Sequence, residues 1–268
     1  MTHNKEIKNK LRFSFGANWL KFSKHINEHT IETAKKSLVE MISENSLQGK
    51  SVLDIGSGSG LFSLSARRLG AKVYSFDYDP KSVMCTKDLR KKYYPDNDNW
   101  KIEEGSVLDK KYINSLGTFD LVYSWGVLHH TGNMFQAFEN CVPLVKKKGL
   151  LFISIYNDQG WISKYWKIVK KIYNKNFLGK IIIIIFHFPY LYLLRYLVRI
   201  LTGRLILDRG MSLWHDMIDW LGGYPFEVAK PEEIFQFYKK RGFSLVKIKT
   251  YLGRHGCNEF VFEKLNEL

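Results

Sequence analysis

Residues 52–60 read Val-Leu-Asp-Ile-Gly-Ser-Gly-Ser-Gly, an apolar run that opens into a loop with glycine at every second position. A second apolar run, residues 73–76, ends in Asp77. The first pattern is typical of a buried strand followed by a turn where backbone approaches a ligand, because glycine lacks Cβ and tolerates positive φ. In an open α/β sheet, an acid at the carboxyl end of the second strand lies where a ribose would bind. The two segments predict a nucleotide-binding site.

Apolar segments alternate with helical patterns along most of the chain. Strands are predicted at 51–55, 72–77, 100–104, 119–124 and 149–156. This alternation predicts a doubly wound α/β fold, with a mostly parallel sheet and right-handed crossovers. Near the end, residues 244–251 and 259–264 read as two further strands joined by a short turn. We expect them to form an antiparallel hairpin at the edge of the sheet.

The spacing of the glycines separates two kinds of nucleotide site. A dinucleotide loop has the pattern G-x-G-x-x-G, whereas Gly56, Gly58 and Gly60 give G-x-G-x-G. The carboxylate of Asp54 beside this loop would repel a pyrophosphate and would suit a cationic group. On Asp54, the glycine loop and Asp77, the chain resembles the class I S-adenosylmethionine (SAM)-dependent methyltransferases. The resemblance implies SAM as the cofactor and a Rossmann-like, seven-stranded sheet whose last strand is antiparallel.

The same resemblance implies which residues contact the cofactor. The glycine loop would receive the methionine moiety, Asp54 would lie near its ammonium or sulfonium group, and Asp77 would accept the ribose hydroxyls. For Ser106 and Trp125, a role in turns or packing is an equal alternative. The implied cofactor-binding set is Asp54, Gly56, Ser57, Gly58, Gly60, Asp77, Tyr78, Ser106, Val107, Ser124 and Trp125.

Residues 124–133 resemble the segment after the fourth strand in bacterial small-molecule methyltransferases related to the ubiquinone-pathway O-methyltransferases. Those relatives carry a Glu-His pair that helps to bind a divalent metal, whereas this chain has His129 and His130. Losing that oxygen ligand counts against magnesium, so no metal site is predicted. A hydroxyl acceptor must lose a proton, and histidine suits that task near neutral pH. We predict His130 as the base, with His129 and Tyr156 as further catalytic candidates; a structural role for either histidine stays open.

The family pattern leaves residues 157–230 as an insertion after the fifth strand, which predicts a helical cap over the ligand crevice. Residues 1–49 are then an N-terminal helical lid, and 50–156 with 231–268 form the SAM-binding core. The aromatic segment at 13–19 would either close over the cofactor or pack the N-terminal helices onto the sheet. Asp216 and Asp219 are further candidate site residues within the insertion. The predicted substrate-binding residues are Asn157, Arg209, His215, Tyr224 and Arg254.

Residues 161–173 have the apolar spacing of an amphipathic helix, and Lys164, Lys167, Lys170 and Lys171 lie off the apolar stripe. The apolar run that follows, residues 181–194, reads as too short and interrupted for a spanning helix, which needs about 20 apolar residues. We expect this insertion to cover the active site or to contact a second copy of the chain in a homodimer. Peripheral contact with a membrane interface is the alternative.

The net charge and the cysteine content limit which partners and which kinds of site the chain can have. The 41 basic and 26 acidic residues give a net charge of +15, which favours an anionic partner. No nucleic-acid-binding module or arginine cluster is visible, so nucleic acid is not expected. The three cysteines have no C-x-x-C spacing, which argues against a zinc site or a disulfide framework. The polar start of the sequence lacks a signal-peptide pattern, so we expect a cytoplasmic protein.

These observations predict a SAM-dependent O-methyltransferase that acts on a small anionic acceptor. A phosphorylated or nucleotide-linked precursor of a surface polysaccharide would fit the positive charge. A membrane-associated O-methyltransferase of quinone-type lipids is the first alternative. A non-catalytic SAM-binding subunit is the second, and turnover of SAM with candidate acceptors would distinguish it from an enzyme.

Overall fold

The computed structural model describes residue 9 and residues 12–95, 98–203, 213–251 and 256–265. One sheet in this part of the chain has the strand order β3-β2-β1-β4-β5-β7-β6. The strands are β1 (Ser51–Ile55), β2 (Lys72–Asp77), β3 (Trp100–Glu104), β4 (Phe119–Trp125), β5 (Val145–Tyr156), β6 (Phe243–Lys249) and β7 (Cys257–Lys264). Strands β1 to β5 pair in parallel, and β7 is antiparallel to both β5 and β6. The predicted Rossmann-like sheet with an antiparallel last strand is confirmed.

Strand β5 begins at Val145, earlier than the predicted start at residue 149. The three lysines at 146–148 resemble a loop in the sequence. In the fold, Lys146 Nζ lies 2.8 Å from Asp120 Oδ2 and 3.1 Å from Ser51 Oγ. The lysine side chain therefore ties the start of β5 to β4 and β1, which explains why a charged segment continues the strand.

Helices cover both faces of the sheet. One buried cluster joins the sheet to the N-terminal helices through Leu38, Leu64 and Trp100, and the other joins it to later helices through Phe138 and Tyr238. The described helices are α1 (Phe15–Phe22), α2 (Glu28–Ile42), α3 (Leu61–Arg68), α4 (Pro80–Tyr93), α5 (Lys110–Ser115), α6 (Met134–Cys141), α7 (Trp161–Lys175), α8 (Phe177–Phe188), α9 (Arg195–Thr202), α10 (Leu213–Gly222) and α11 (Pro231–Lys239).

Local capping sets the start of α4, directly after the strand that carries Asp77. Asp79 Oδ1 accepts a hydrogen bond of 2.9 Å from Lys81 N, and Pro80 occupies the first turn. An Asp followed by Pro predicts a helix start from the sequence alone, and the structure confirms it here, because the side chain satisfies a backbone donor that the helix leaves unpaired.

The insertion leaves the sheet and returns to it at one point. Asn157 and Ala229 form a parallel bridge, and Ala229 N donates to Tyr156 O at 3.1 Å. Between these two residues, a third hydrophobic cluster is built on side chains such as Trp166 and Met217. The helices of the insertion therefore share a small core of their own.

The structure corrects the prediction that the apolar run of the insertion is too short to span a membrane. Phe177–Thr202 is a helix of 26 residues with a mean hydropathy of 1.9 in its most apolar window, of which 17% is buried. By length and composition it is the one helix in the described residues that could cross a membrane. Pro189 does not interrupt it, because Pro189–Leu194 is π-helical and joins α8 to α9. A π-helical turn shifts the hydrogen-bond ladder that a proline would otherwise break.

The structure also separates Lys170 from the other three lysines off the apolar stripe of α7, with which the sequence analysis grouped it. Its side chain is fully buried, and Nζ donates to the carbonyl of Trp220. The ammonium lies 4.6 Å from the centroid of the Trp220 ring and 4.8 Å from that of Phe226. Burial lowers the pKa of Lys170 to about 7. The sequence does not distinguish Lys170 from the other lysines, because α10, which packs over this side of α7, is remote in sequence.

The two faces of α6 provide a test of this core. Phe138 is fully buried between α6 and α11, and we expect Phe138→Ala to lower the free energy of unfolding by about 3–5 kcal/mol, as large-to-small core changes do. Phe135 in the same helix is 45% exposed, so Phe135→Ala is the matched control with a smaller effect. Denaturant titration measures both. Equal losses for the two variants would contradict the assigned core.

Candidate functional site

A cavity of about 590 Å³ lies at the carboxyl ends of β1, β2 and β4. The loops after these strands form its floor, the segment at residues 12–22 forms one wall, and α10 with the π-helical turn forms another. Of the predicted cofactor-binding residues, those in the cavity wall are Asp54, Gly56, Ser57, Gly58, Asp77, Tyr78, Ser106, Val107 and Trp125.

The glycine loop approaches its neighbours too closely for side chains. Gly56 and Gly58 have φ values of 78° and 56°, which favour glycine. A Cβ on Gly56 would lie 2.5 Å from Val127, and one on Gly58 would lie 3.1 Å from the Trp19 ring. The loop therefore presents backbone to the cavity.

Asp77 is oriented by backbone amides at the end of β2. Its Oδ2 accepts from Gly58 N at 2.9 Å, and its Oδ1 accepts from Asp79 N at 2.8 Å. Burial is the largest influence on this carboxyl and raises its pKa to about 6, although both amides oppose the shift. The two amides fix the carboxylate at the cavity wall.

Asp54 is the second buried carboxylate of the cavity. It accepts a hydrogen bond from Ser63 Oγ, which in turn lies 2.7 Å from Ser75 Oγ. Burial raises its pKa to about 7, and the charge of Asp77 adds to that shift. Two desolvated carboxylates that repel each other would both be stabilised by a cationic ligand, which fits the sulfonium and ammonium groups of SAM.

Two predicted cofactor residues lie outside the cavity wall. Gly60 is the N-cap of α3, with a φ of 80°, and packs against Thr86. Ser124 is fully buried, and its Oγ donates to Ile55 O at 3.2 Å. Both residues lie behind the cavity, Gly60 at the start of a helix and Ser124 with its side chain in the core.

Arg12 connects the N-terminal segment to the loop after β4. Its guanidinium donates to the carbonyls of His130 at 2.7 Å and Thr131 at 3.1 Å, and it lies 5.1 Å from the centroid of the Tyr78 ring. Sequence reasoning missed Arg12, and its position beside the aromatic segment at 13–19 was the available signal.

The two adjacent histidines have different environments. His130 lies in the cavity wall, and its Nδ1 is 2.6 Å from Pro225 O. His129 does not reach the cavity, since its ring is fully buried against Tyr156 with 4.0 Å between ring centroids. Burial lowers the pKa of His130 to about 3 and that of His129 well below its ordinary value. Both imidazoles are therefore neutral near pH 7.

Tyr156 lies in the cavity wall, and burial raises the pKa of its hydroxyl well above the ordinary value.

Of the predicted substrate-binding residues, the three that the structure describes, Asn157, His215 and Tyr224, do not lie in the cavity wall. Asn157 accepts a hydrogen bond of 3.0 Å from Asn258 Nδ2 beyond the end of β5. His215 faces His25, with 6.2 Å between the ring centroids, and Tyr224 accepts from Phe13 N through its carbonyl at 2.8 Å. These three residues make contacts between segments that are distant in the sequence, which sequence position could not show. Arg209 and Arg254 lie outside the described residues.

Helix α10 contributes two acids to the cavity wall, Asp216 and Asp219. Asp219 Oδ1 accepts from Asn18 Nδ2 at 2.8 Å, and burial raises its pKa to about 7. Asp216 Oδ2 lies 2.7 Å from Arg195 Nη1, and Arg195 is also part of the wall. Sequence reasoning named the two acids as candidate site residues of the insertion, without assigning them a role, and missed Arg195. Among the described residues, no group of three His, Cys, Asp or Glu side chains could hold a metal ion.

Comparison with known families decides the class of the chain. Residues 26–179 match the family model described as "Methyltransferase domain". The chain belongs to this methyltransferase family. The glycine loop, Asp54 and Asp77 all lie within the matched residues, and SAM is the cofactor of the class.

Individual relatives refine this result. The chain is 33% identical over 113 residues to the ubiquinone biosynthesis O-methyltransferase of Glaesserella parasuis serovar 5 (strain SH0165), covering 42% of this chain and 48% of that protein. It is 34% identical over 122 residues to the ribosomal protein L11 methyltransferase of Prochlorococcus marinus (strain MIT 9515), covering 45% and 40%. The matches thus span about half the length of these curated relatives. The methyltransferase is class I, SAM-dependent and related to the ubiquinone O-methyltransferases.

The fold is also similar to a solved structure with a bound cofactor product. The magnesium protoporphyrin IX methyltransferase (ChlM) from Synechocystis PCC 6803 with bound SAH aligns with a TM-score of 0.52 at 14% identity. The alignment covers 87% of this chain and 83% of that chain. At this identity the similarity supports the fold, and it carries no information on the acceptor.

The cofactor side of the cavity yields one prediction. We expect Asp77→Ala to weaken SAM binding about 10- to 150-fold, because two ribose hydroxyls would lose a charged acceptor worth roughly 1.5–3 kcal/mol. Isothermal titration calorimetry measures the affinity. Asp88→Ala, on the exposed side of α4, is the matched control. Equal affinities of wild type and Asp77→Ala would remove Asp77 from the ribose site.

Proposed function

We propose that the chain is an O-methyltransferase that methylates a hydroxyl of a small amphiphilic acceptor. The observation that carries this proposal is Asp219, a half-buried carboxylate in the cavity wall whose pKa is raised to about 7 by desolvation. A carboxylate with this pKa can accept the proton that a hydroxyl loses when it is methylated. The relationship to the ubiquinone O-methyltransferases adds support for oxygen as the acceptor atom.

On the cofactor side, Asp77 would accept the ribose hydroxyls and Asp54 would lie near the cationic groups. The glycine loop would receive the methionine moiety, and Tyr78 would flank the adenine. The raised pKa values of both carboxyls support this assignment, because a cation beside them would favour their ionised forms.

On the acceptor side, the wall is aromatic and aliphatic. Phe15, Tyr190, Leu191 and Trp220 line this half of the cavity together with Asp219. Such a wall would bury an apolar body and exclude water from the reacting atoms. Few polar groups in an apolar pocket are typical of sites that orient one functional group of a ligand.

The chemistry requires little of the protein beyond orientation and proton removal. SAM, when bound, supplies a methyl group on a sulfonium sulfur, and transfer of that group to a hydroxyl leaves one proton to be removed. Asp219 would accept this proton, and Asn18 would keep its carboxylate in position through the 2.8 Å hydrogen bond. Positioning contributes the larger part of such a displacement, because the nucleophile must be held near attack distance.

We assign His130 a different role from the base that the sequence predicts. Pro225 O can only accept, so Nδ1 of His130 donates to it, and Nε2 is left as an acceptor. A pKa of about 3 makes this imidazole a weak proton acceptor. His130 would therefore accept a hydrogen bond from another polar group of the acceptor, while Asp219 would take the proton of the reacting hydroxyl.

The cavity wall counts against the anionic acceptor expected from the net charge. It contains two arginines, Arg12 and Arg195, and both are engaged by protein oxygens. The carboxylates of the wall are Asp54, Asp77, Asp79, Asp216 and Asp219. An uncharged amphiphile meets less repulsion there than a phosphate would. A polysaccharide precursor stays a prediction that the net charge of +15 alone supports.

Activity itself is tested with a panel of hydroxylated acceptors, from prenylated phenols to sugar nucleotides. We expect S-adenosylhomocysteine to accumulate with the phenols, together with a mass gain of one methylene in the acceptor. Methylation of the sugar nucleotides instead would reverse the preference for an amphiphile. SAM binding without turnover on any acceptor would favour a non-catalytic SAM-binding subunit.

The base assignment predicts a pH dependence. With SAM saturating, kcat should rise as pH increases through about 7, because Asp219 acts only after it loses its proton. Asp219→Asn should lower kcat about 10²- to 10⁴-fold and remove this rise, as loss of a general base does. The asparagine keeps Oδ1 as an acceptor for Asn18. A rise that survives in this variant would exclude Asp219 as the base.

For His130→Asn we expect an increase in KM with kcat changed by only a few fold, since a hydrogen bond to the acceptor is lost and the base remains. Steady-state kinetics at saturating SAM separate the two parameters. If His130→Asn, rather than Asp219→Asn, abolished the pH-dependent rise, His130 would be the base.

A further inference from the structure

The insertion exposes an extended apolar surface, which we call the apolar face. It is formed by exposed side chains of α7, α8 and α9, among them Trp161, Ile172, Ile185, Phe186 and Leu201. Phe186 is 74% exposed, Trp161 is 76% exposed and Leu201 is 85% exposed. A concentration of large exposed apolar side chains on consecutive helices indicates an interaction site, because soluble proteins usually keep their exposed apolar patches small.

Helix α7 arranges its side chains in three stripes. Trp166, Val169 and Tyr173 point into the core of the insertion. Trp161, Ile168 and Ile172 are exposed at spacings of seven and four residues, which places them on one side of the helix. The exposed lysines Lys164, Lys167, Lys171 and Lys175 follow the same helical spacing on the side next to them. An exposed apolar stripe beside a lysine stripe is the pattern of a helix that lies in a membrane interface.

All the charged side chains of the segment that carries this surface are positive. Residues 161–203 contain no aspartate or glutamate. Two of the positively charged side chains in this segment have partners within the protein: Lys170 is buried, and Arg195 forms an ion pair with Asp216. The exposed lysines of this segment are Lys164, Lys167, Lys171, Lys175 and Lys180. This distribution is complementary to a surface that is apolar and anionic at once.

The contacts of Phe177–Thr202 argue for a peripheral position rather than a spanning one. Its inner side is held to the protein by Ile183 and Leu191 in the core of the insertion. His187 Nε2 lies 2.8 Å from Tyr165 Oη, and Arg195 Nη1 lies 2.7 Å from Asp216 Oδ2. A helix attached along its length to a folded domain can present one side to lipid, but it cannot cross the hydrocarbon core.

We propose that the apolar face docks peripherally on an anionic lipid bilayer, with the lysines of α7 at the headgroups and the apolar side chains in the interface. The proposal concerns a partner of the whole molecule and does not depend on the identity of the acceptor. The same helix also supplies Tyr190, Leu191 and Leu194 to the cavity wall, so docking brings the cavity next to the bilayer.

The first test is co-sedimentation of the full chain with vesicles of phosphatidylglycerol and phosphatidylcholine in equal parts. We expect binding that salt weakens, and little binding to phosphatidylcholine alone. Changing Lys164, Lys167, Lys171 and Lys175 to Gln should weaken the partition about a hundredfold or more, since each lysine contributes several-fold at an anionic surface. Changing Lys87, Lys91, Lys110 and Lys111 to Gln removes the same charge from exposed positions elsewhere and should have a much smaller effect.

The second test addresses the apolar face itself. Combined Ile185→Ser, Phe186→Ser and Leu201→Ser should reduce vesicle binding at least tenfold while SAM affinity stays at the wild-type value. Met84→Ser with Val246→Ser changes exposed apolar residues elsewhere and should leave vesicle binding intact. Doxyl-labelled lipids should quench tryptophan fluorescence in the wild type, and Trp161→Phe should remove a large part of that quenching.

Three results would overturn the proposal. One is the absence of binding to anionic vesicles at low salt. Another is an equal loss of binding in the two lysine variants, which would indicate attraction by net charge alone. The third is a stable dimer by light scattering that the three serine changes dissociate, because a second copy of the chain would then cover the apolar face. None of these results depends on methyl transfer.

Discussion

The structure is organised around two carboxylates at the ends of neighbouring parallel strands. The pairing of β1 with β2 brings Asp54 and Asp77 to the same edge of the sheet, where both are desolvated. Backbone amides of Gly58 and Asp79 hold Asp77, and a serine hydroxyl holds Asp54. Their raised pKa values show that ionisation is costly in the unliganded fold. A cationic cofactor offsets that cost, which explains why an acidic, glycine-rich edge suits SAM.

Helix α1 links the two halves of the cavity. At its start, Gly16 N donates to Asp79 Oδ2 at 2.8 Å, beside the loop that orients Asp77. Two residues later, Asn18 Nδ2 contacts Asp219 Oδ1 in the insertion. The aromatic segment at 13–19 therefore both packs the N-terminal helices and forms a wall of the cavity, so the two alternatives for this segment are not exclusive. Closure of the cavity and orientation of the proposed base depend on the same short helix.

Net charge and site charge differ in this protein. The chain carries +15, yet five aspartates and two arginines face the cavity. The excess of lysine lies on outer surfaces, including the exposed lysine stripe of α7. Net charge therefore describes what the surface of the molecule attracts, whereas burial and local partners determine what the cavity accepts. This distinction is why we propose an anionic bilayer as the partner of the surface and an uncharged acceptor group for the cavity.

The sequence by itself determined those features of the structure that depend on interactions between neighbouring residues. The glycine loop, the acid after the second strand and the Asp79-Pro80 helix start each depend on a few consecutive residues, and the sequence predicted all of them. Only the tertiary structure decided which side of a helix is covered and what surrounds a titratable group. Lys170 is buried because α10 packs over it, His129 is sealed behind Tyr156, and Asp219 meets Asn18 across 201 residues of sequence. Burial and pKa arise from such distant contacts, and no local pattern encodes them.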